Sequence, residues 1–119
     1  MQNLKDTVKE LNELVASFRY EEAHAKFYHN DLVKHENEGA PTIGLANHKT
    51  EMQQFLASIS NRSAKLIQSI VSDDMSVTEW HYTFDHKDWG ARDFREISIQ
   101  RWKGGKIIHE RHHYKTENW

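Results

Sequence analysis

Glu110 and His112 stand two residues apart in Lys106–Tyr114, a segment rich in β-branched and aromatic residues. In an extended strand that spacing puts both side chains on one face, next to each other. A carboxylate beside an imidazole can pass a proton near neutral pH, so the two are candidate acid–base residues. The same pair could equally be a hydrogen-bonded plug in the interior. Ile108 and Tyr114 share that face, whereas Ile107, His109, Arg111 and His113 alternate to the other. The three neighbouring histidines therefore do not converge, and no HExxH motif is present, so no bound metal is expected. The chain has no cysteine, which excludes disulfide and thiol chemistry.

A second group of residues could form the walls of a site. Trp80, Tyr82 and Phe84 recur at strand spacing, and Trp102 lies on a later strand. They read as core and pocket wall, or as a stacking surface for a planar ligand. On the strand that carries Trp102, Glu96, Ser98 and Gln100 share its face, opposite Ile97, Ile99 and Arg101.

These side chains need a frame. Leu4, Val8, Leu11, Val15 and Phe18 step by four and three, which predicts one face of a helix. Asn3 and Asp6 suit its start. A short second helix is expected over about 20–27, then a strand over Leu32–Glu38, broken by Gly39-Ala40-Pro41. Met52, Phe55, Leu56 and Ile59 predict a third helix beginning near Asn47. After Asn61 the period changes, and Ser63–Ser72, Ser76–His86, Asp93–Lys103 and Lys106–Tyr114 read as strands. Asp73-Asp74 and Gly104-Gly105 are the clearest turns. Helices followed by a run of antiparallel strands is an α+β pattern, not βαβ.

The 119 residues fit one domain, 1–119, with room for a single core. The net charge of −2 comes from mixed acids and bases, so neither nucleic acid nor an acidic tail is implied. The N-terminal MQNLKDTVKEL lacks the pattern of a signal peptide, and no apolar run approaches membrane-spanning length. A cytoplasmic protein without membrane contact is expected.

The run from Phe27 to Gly39, with Pro41 and Gly44, resembles the "YADD…VxDPxG…P…G" signature of ketosteroid isomerases and SnoaL-like proteins. Arg101-Trp102-Lys103-Gly104-Gly105-Lys106-Ile107, followed by Glu110-Arg111 and Tyr114, resembles that family's "RxxxGKIxxxRxxY" hairpin. The resemblance covers nearly the whole chain. It implies an NTF2-like (cystatin-like) α+β roll, in which N-terminal helices pack on a curved, mainly antiparallel sheet around a cone-shaped pocket. It also implies a carboxylate base beside a carbonyl and two protonated donors on the enolate oxygen. The base position falls on Glu36. The donor positions fall on Asn12 and Ser98, and inward positions of the last strands on Gln100, Glu110 and Tyr114. His35 and His48 flank the expected mouth.

Asn and Ser are weaker donors than the groups they replace. With Ser98, Gln100, Glu110 and His112 on its wall, the pocket is expected to suit a small polar carbonyl compound rather than a steroid. One reading is a cofactor-free isomerase, cyclase or hydrolase with Glu36, Glu110 and His112 as catalytic residues. Asn12, His35, Trp80, Tyr82, Ser98, Gln100, Trp102 and Tyr114 would then line the ligand pocket. The other is a non-catalytic ligand-binding or protein-interaction module, since fold does not decide function. Convergence of Glu36, Glu110 and His112 on one cavity would favour chemistry. The same orientation turns Ile97, Ile99 and Ile107 outward, which predicts a homodimer through that sheet face.

Overall fold

The computed structural model describes residues 3–116. Helix α1 (Leu4–Ala16) starts where the Asn3 side chain accepts the Asp6 N–H at 2.9 Å. Its apolar stripe buries Val8, Leu11, Leu14 and Val15. The helix stops at Ser17, and Phe18 takes a left-handed φ of 57°. Phe18 therefore does not continue the stripe as the spacing predicted. It folds back half-buried, with the Arg62 guanidinium 4.6 Å over its ring.

Helix α2 (Tyr20–Phe27) passes without a loop into strand β1 (Tyr28–Glu36), four residues earlier than expected. The polar His29-Asn30-Asp31 hides the strand in the sequence, but the last strand pairs with Tyr28 and with 33–36 on either side of an irregularity. Asn37, at φ 52°, ends β1. Strand β2 (Thr42–Ile43) is too short to show a period and was not expected. Helix α3 (Leu45–Ala57) begins two residues before Asn47, after Gly44 at φ 90°.

Strand β3 (Ile59–Ser72) starts before Ser63, across a register break at Asn61. Strands β4 (Met75–His86), β5 (Gly90–Lys103) and β6 (Lys106–Tyr114) follow. The sheet order is β2-β1-β6-β5-β4-β3, with β1 and β6 parallel and every other pair antiparallel. This is the α+β roll expected, an open curved sheet with its helices on the concave face. Among the described residues no helix is long and apolar enough to cross a membrane.

One departure from simple alternation matters. Arg101 pairs with His109, but Trp102 pairs with Ile107, so Ile108 is the extra residue of a bulge. The bulge reverses the phase of β6 just after the Gly104-Gly105 turn. Ile107 is fully buried in the core beside Trp102, and Ile108 is only half-buried. The expectation that Ile107 faces outward and Ile108 inward is therefore corrected. Beyond the bulge, Glu110 and His112 do face the concave side.

This assignment has a direct check. Ile107→Ala should cost about 2–4 kcal/mol in urea unfolding, the range for a large core truncation, and Ile108→Ala less than about 1.5 kcal/mol. Strict alternation along β6 requires the reverse order.

Candidate functional site

A cavity of about 310 Å³ lies between the helices and the concave sheet face. Its polar wall begins with Glu110, 1 % exposed on β6. The Tyr28 hydroxyl and the Gln100 amide both donate to Glu110 Oε2, at 2.7 and 2.6 Å. Glu110 Oε1 lies 3.1 Å from His112 Nε2. The other ring nitrogen, Nδ1, lies 2.8 Å from Ser98 Oγ, and that hydroxyl is 3.4 Å from Glu96 Oε2.

The charges on this wall follow from those contacts. Burial opposes the imidazolium of His112, but Glu110 and then Glu96 outweigh it and lift the ring to about 10. Burial likewise opposes ionisation of Glu110, yet the charge and hydrogen bond of His112 hold that carboxyl well below the usual range. The two form a buried, hydrogen-bonded ion pair, one of the two arrangements their spacing allowed. Glu96 behaves differently. Burial pushes it up to about 7; His112 opposes this, and Glu36 and Glu110 reinforce it.

Parallel pairing of β1 with β6 sets Lys34 beside Glu110 and Glu36 beside His112. Lys34, 4 % exposed, reaches Glu36 at 3.2 Å and Glu51 of α3 at 3.1 Å. Burial disfavours its charge, but these two carboxylates more than restore it. Glu36 is half-exposed at the mouth and also hydrogen-bonds the Tyr114 hydroxyl.

The rest of the cavity wall is aromatic and begins beside Glu96, which pairs with Trp80. Trp80 stacks with Tyr82 at 5.8 Å, Tyr82 meets Phe94 at 5.8 Å, and Phe94 meets Phe84 edge-on at 5.8 Å. Phe55 of α3 closes onto Phe84 at 5.3 Å. The hydroxyls of Tyr20 and Tyr82 hydrogen-bond each other. The pocket is thus less polar than expected, because residues from α3 and β5 add rings that one strand's alternation does not reveal. His48, stacked on Tyr28, is held neutral at about 4 by burial above all.

Glu36, Glu110, His112 and Tyr114 all line this one cavity, as do Asn12, Trp80, Tyr82, Ser98 and Gln100. His35 and Trp102 do not. Alternation along β1 turns Lys34 and Glu36 inward, so His35 points outward against His109, their rings 5.4 Å apart. Trp102 faces inward but lies in the core, packed on Phe27 and donating its indole N–H to Ser76 Oγ at 2.9 Å. Lys34, Glu51 and Tyr28 were not singled out from the sequence. Glu96 was placed on the inward face but given no role; its parity with Ser98 and Gln100 was the only signal.

A SnoaL-like domain family model matches residues 8–110. No curated protein matches the sequence at a significant level. Among solved structures, a candidate SnoaL-like polyketide cyclase from Mesorhizobium loti aligns with a TM-score of 0.81 at 18 % identity, covering 93 % of this chain and 98 % of that one. An NTF2-like protein of unknown function from Burkholderia pseudomallei aligns at 0.80 and 14 % identity, covering 97 % and 92 %. A protein of ketosteroid isomerase-like fold from Catenulispora acidiphila, in complex with trimethylamine, aligns at 0.68 and 17 % identity, covering 78 % and 73 %. At these identities the likeness is one of fold, and it is the NTF2-like roll.

The buried ion pair has a measurable consequence. The folded state keeps the His112 proton up to about 10, while the unfolded chain releases it near 6.5. The stability this group contributes is complete below about pH 6.5 and declines as pH rises toward 10. Glu110→Gln should cost about 3 kcal/mol at neutral pH, because it leaves the imidazolium buried without its counter-charge. It should also flatten the decline above neutrality, as followed by chemical unfolding across the pH range. An unchanged slope would mean that His112 is neutral in the folded protein.

Proposed function

The chain belongs to the SnoaL-like domain family, and on that premise we propose that it binds a small molecule in the cavity and moves a proton on it beside a carbonyl group. One observation carries this reading: carboxylates from β1, β5 and β6 and the His112 ring converge on a single open cavity rather than filling it. Convergence on open space favours chemistry over a collapsed interaction module. The relatives in this fold include a candidate polyketide cyclase and a protein in complex with trimethylamine, which supports a small-molecule site.

Glu96 is the better candidate for the proton-exchanging group. A carboxylate titrating near 7 exchanges protons at neutral pH. The Glu110–His112 pair fixes Ser98, and through it one oxygen of Glu96. Glu36 retains the carboxylate implied by the family resemblance, but it is already engaged by Lys34 and Tyr114. Asn12 and Ser98, at the family's donor positions, already donate to Ser69 and to Glu96, and Ser98 accepts from the charged His112. Tyr20 and Tyr82 are the remaining hydroxyls beside the Glu96 charge and would face the developing oxyanion. Steroid isomerisation is not part of this proposal.

The protein would work as a homodimer. Ile70, Val77 and Ile99 stand in one row across β3, β4 and β5, with Ile97 beside them on the convex face. Ile70 is 60 % exposed. Ile99→Lys should convert a dimer to monomer in sedimentation, since a buried unpaired charge is costly; a wild-type monomer at high concentration removes the proposal.

Activity can be sought without knowing the substrate, by following α-hydrogen exchange of small enolisable ketones in D₂O by NMR. Wild type should accelerate exchange, with a rate that rises with pH through about 7. Glu96→Gln should lower it about 10²-fold or more, and Glu36→Gln less. Binding without exchange supports the non-catalytic module instead, and equal rates in wild type and Glu96→Gln rule out Glu96 as the base.

A further inference from the structure

We propose that the cavity takes an organic cation, an amine or quaternary ammonium compound whose charged head sits among the aromatic rings beside Glu96. This rests on the reading of the cavity as a ligand site and adds the class of ligand. The first observation is the placing of the rings. In the register of β4 and β5, Trp80 pairs with Glu96 and Tyr82 with Phe94, so aromatic side chains flank the carboxylate directly. The ring contacts from Trp80 through Tyr82 and Phe94 to Phe84 form a continuous wall. Ring faces attract cations, most strongly where water is excluded.

The second observation is the charge balance. Four carboxylates, Glu36, Glu51, Glu96 and Glu110, line the cavity with two cations, Lys34 and His112. Both cations are already spent, Lys34 on Glu36 and Glu51, and His112 on Glu110 and Ser98. Among the charged residues that line the cavity an anionic ligand would find no free positive group, since Arg62 lies behind the Phe18 ring, and it would face Glu96. Glu96 itself has capacity to spare: Oε2 faces Ser98 and His112, and its other oxygen has no partner among the described residues. The third is His48, 3 % exposed on the cavity wall, whose Nδ1 has no hydrogen-bond partner among the described residues. It is a neutral imidazole and so adds no positive charge to the wall.

A cation of fixed charge should bind the ionised form of Glu96 more tightly, so its affinity should rise as pH rises through about 7. The groups around Glu96 are Tyr20 of α2, Tyr28 and Glu36 of β1, Tyr82 of β4, and Glu110, His112 and Tyr114 of β6. His112 stays charged to about 10, Glu110 stays ionised, and burial keeps the four phenols protonated well above neutrality.

The test is calorimetric titration of the full chain with benzyltrimethylammonium, benzyl alcohol and phenylacetate, at about pH 6 and about pH 8. At the higher pH the cation should bind about tenfold tighter than the alcohol, and phenylacetate more weakly than either. At the lower pH the cation should lose about tenfold, following the ionised fraction of a group that titrates near 7. Glu96→Gln should abolish the pH dependence and most of the cation's advantage while leaving alcohol binding in place. Phe94→Leu should weaken the cation more than the alcohol, an independent check if Glu96→Gln folds poorly. Equal affinity for cation and alcohol, or a preference for phenylacetate, overturns the cation proposal and leaves the ligand site standing. Failure of all three probes to bind overturns both.

Discussion

The buried pair of Glu110 and His112 is the constraint around which the concave face is arranged. Either charge alone in that position would cost several kcal/mol, about 3–5 when one partner of such a pair is removed. The surrounding side chains are placed accordingly. Tyr28 and Gln100 donate to the carboxylate, Ser76 donates to Gln100 at 2.7 Å, and Trp102 donates to Ser76. This chain of donors crosses β1, β4, β5 and β6 and joins the polar wall to the apolar core. Satisfaction at every step is what allows a carboxylate 1 % exposed to stay ionised.

That arrangement divides the labour among the acidic groups. Glu110 is saturated with donors and locked against an imidazolium, so it is structural in its chemistry. Glu96 lies 3.5 Å from the same imidazolium and accepts one long bond from Ser98, so it receives weaker support and is left near the point where gaining or losing a proton costs little. Two glutamates on one wall thus differ because of the number and quality of hydrogen bonds each accepts, not because of burial, which both share. Glu36, half in solvent and paired with Lys34, is a third case on the same cavity.

The aromatic wall has another cause. Phe84, Phe94 and Phe55 belong to different elements, and they meet only because β4 and β5 pair over twelve positions and α3 packs across them. Their edge-to-face contacts set an apolar surface against the polar wall. A ligand held there would have its charged or reacting group at Glu96 and its apolar body against the rings. Both the proton-transfer and the cation readings draw on that one boundary.

Much of this was legible in residue order. The helix stripe of α1, the extent of α2, the two strands 76–86 and 106–114, and the inward parity of Glu96, Ser98 and Gln100 come from local periods of two, three and four residues. Such periods are set by backbone geometry alone, and they appear wherever one face is buried. The departures arose where a partner distant in sequence intervened. Parallel pairing with β6 drew 28–31 into a strand, and the bulge at Ile108 exchanged the facings of Ile107 and Ile108. Trp102 had the right facing but the wrong depth. The protonation of His112 and Glu96 was further still from view. A charge buried at low dielectric answers to every neighbour within several ångströms, and those neighbours arrive from α2, β1, β4 and β6, which only the folded chain brings together.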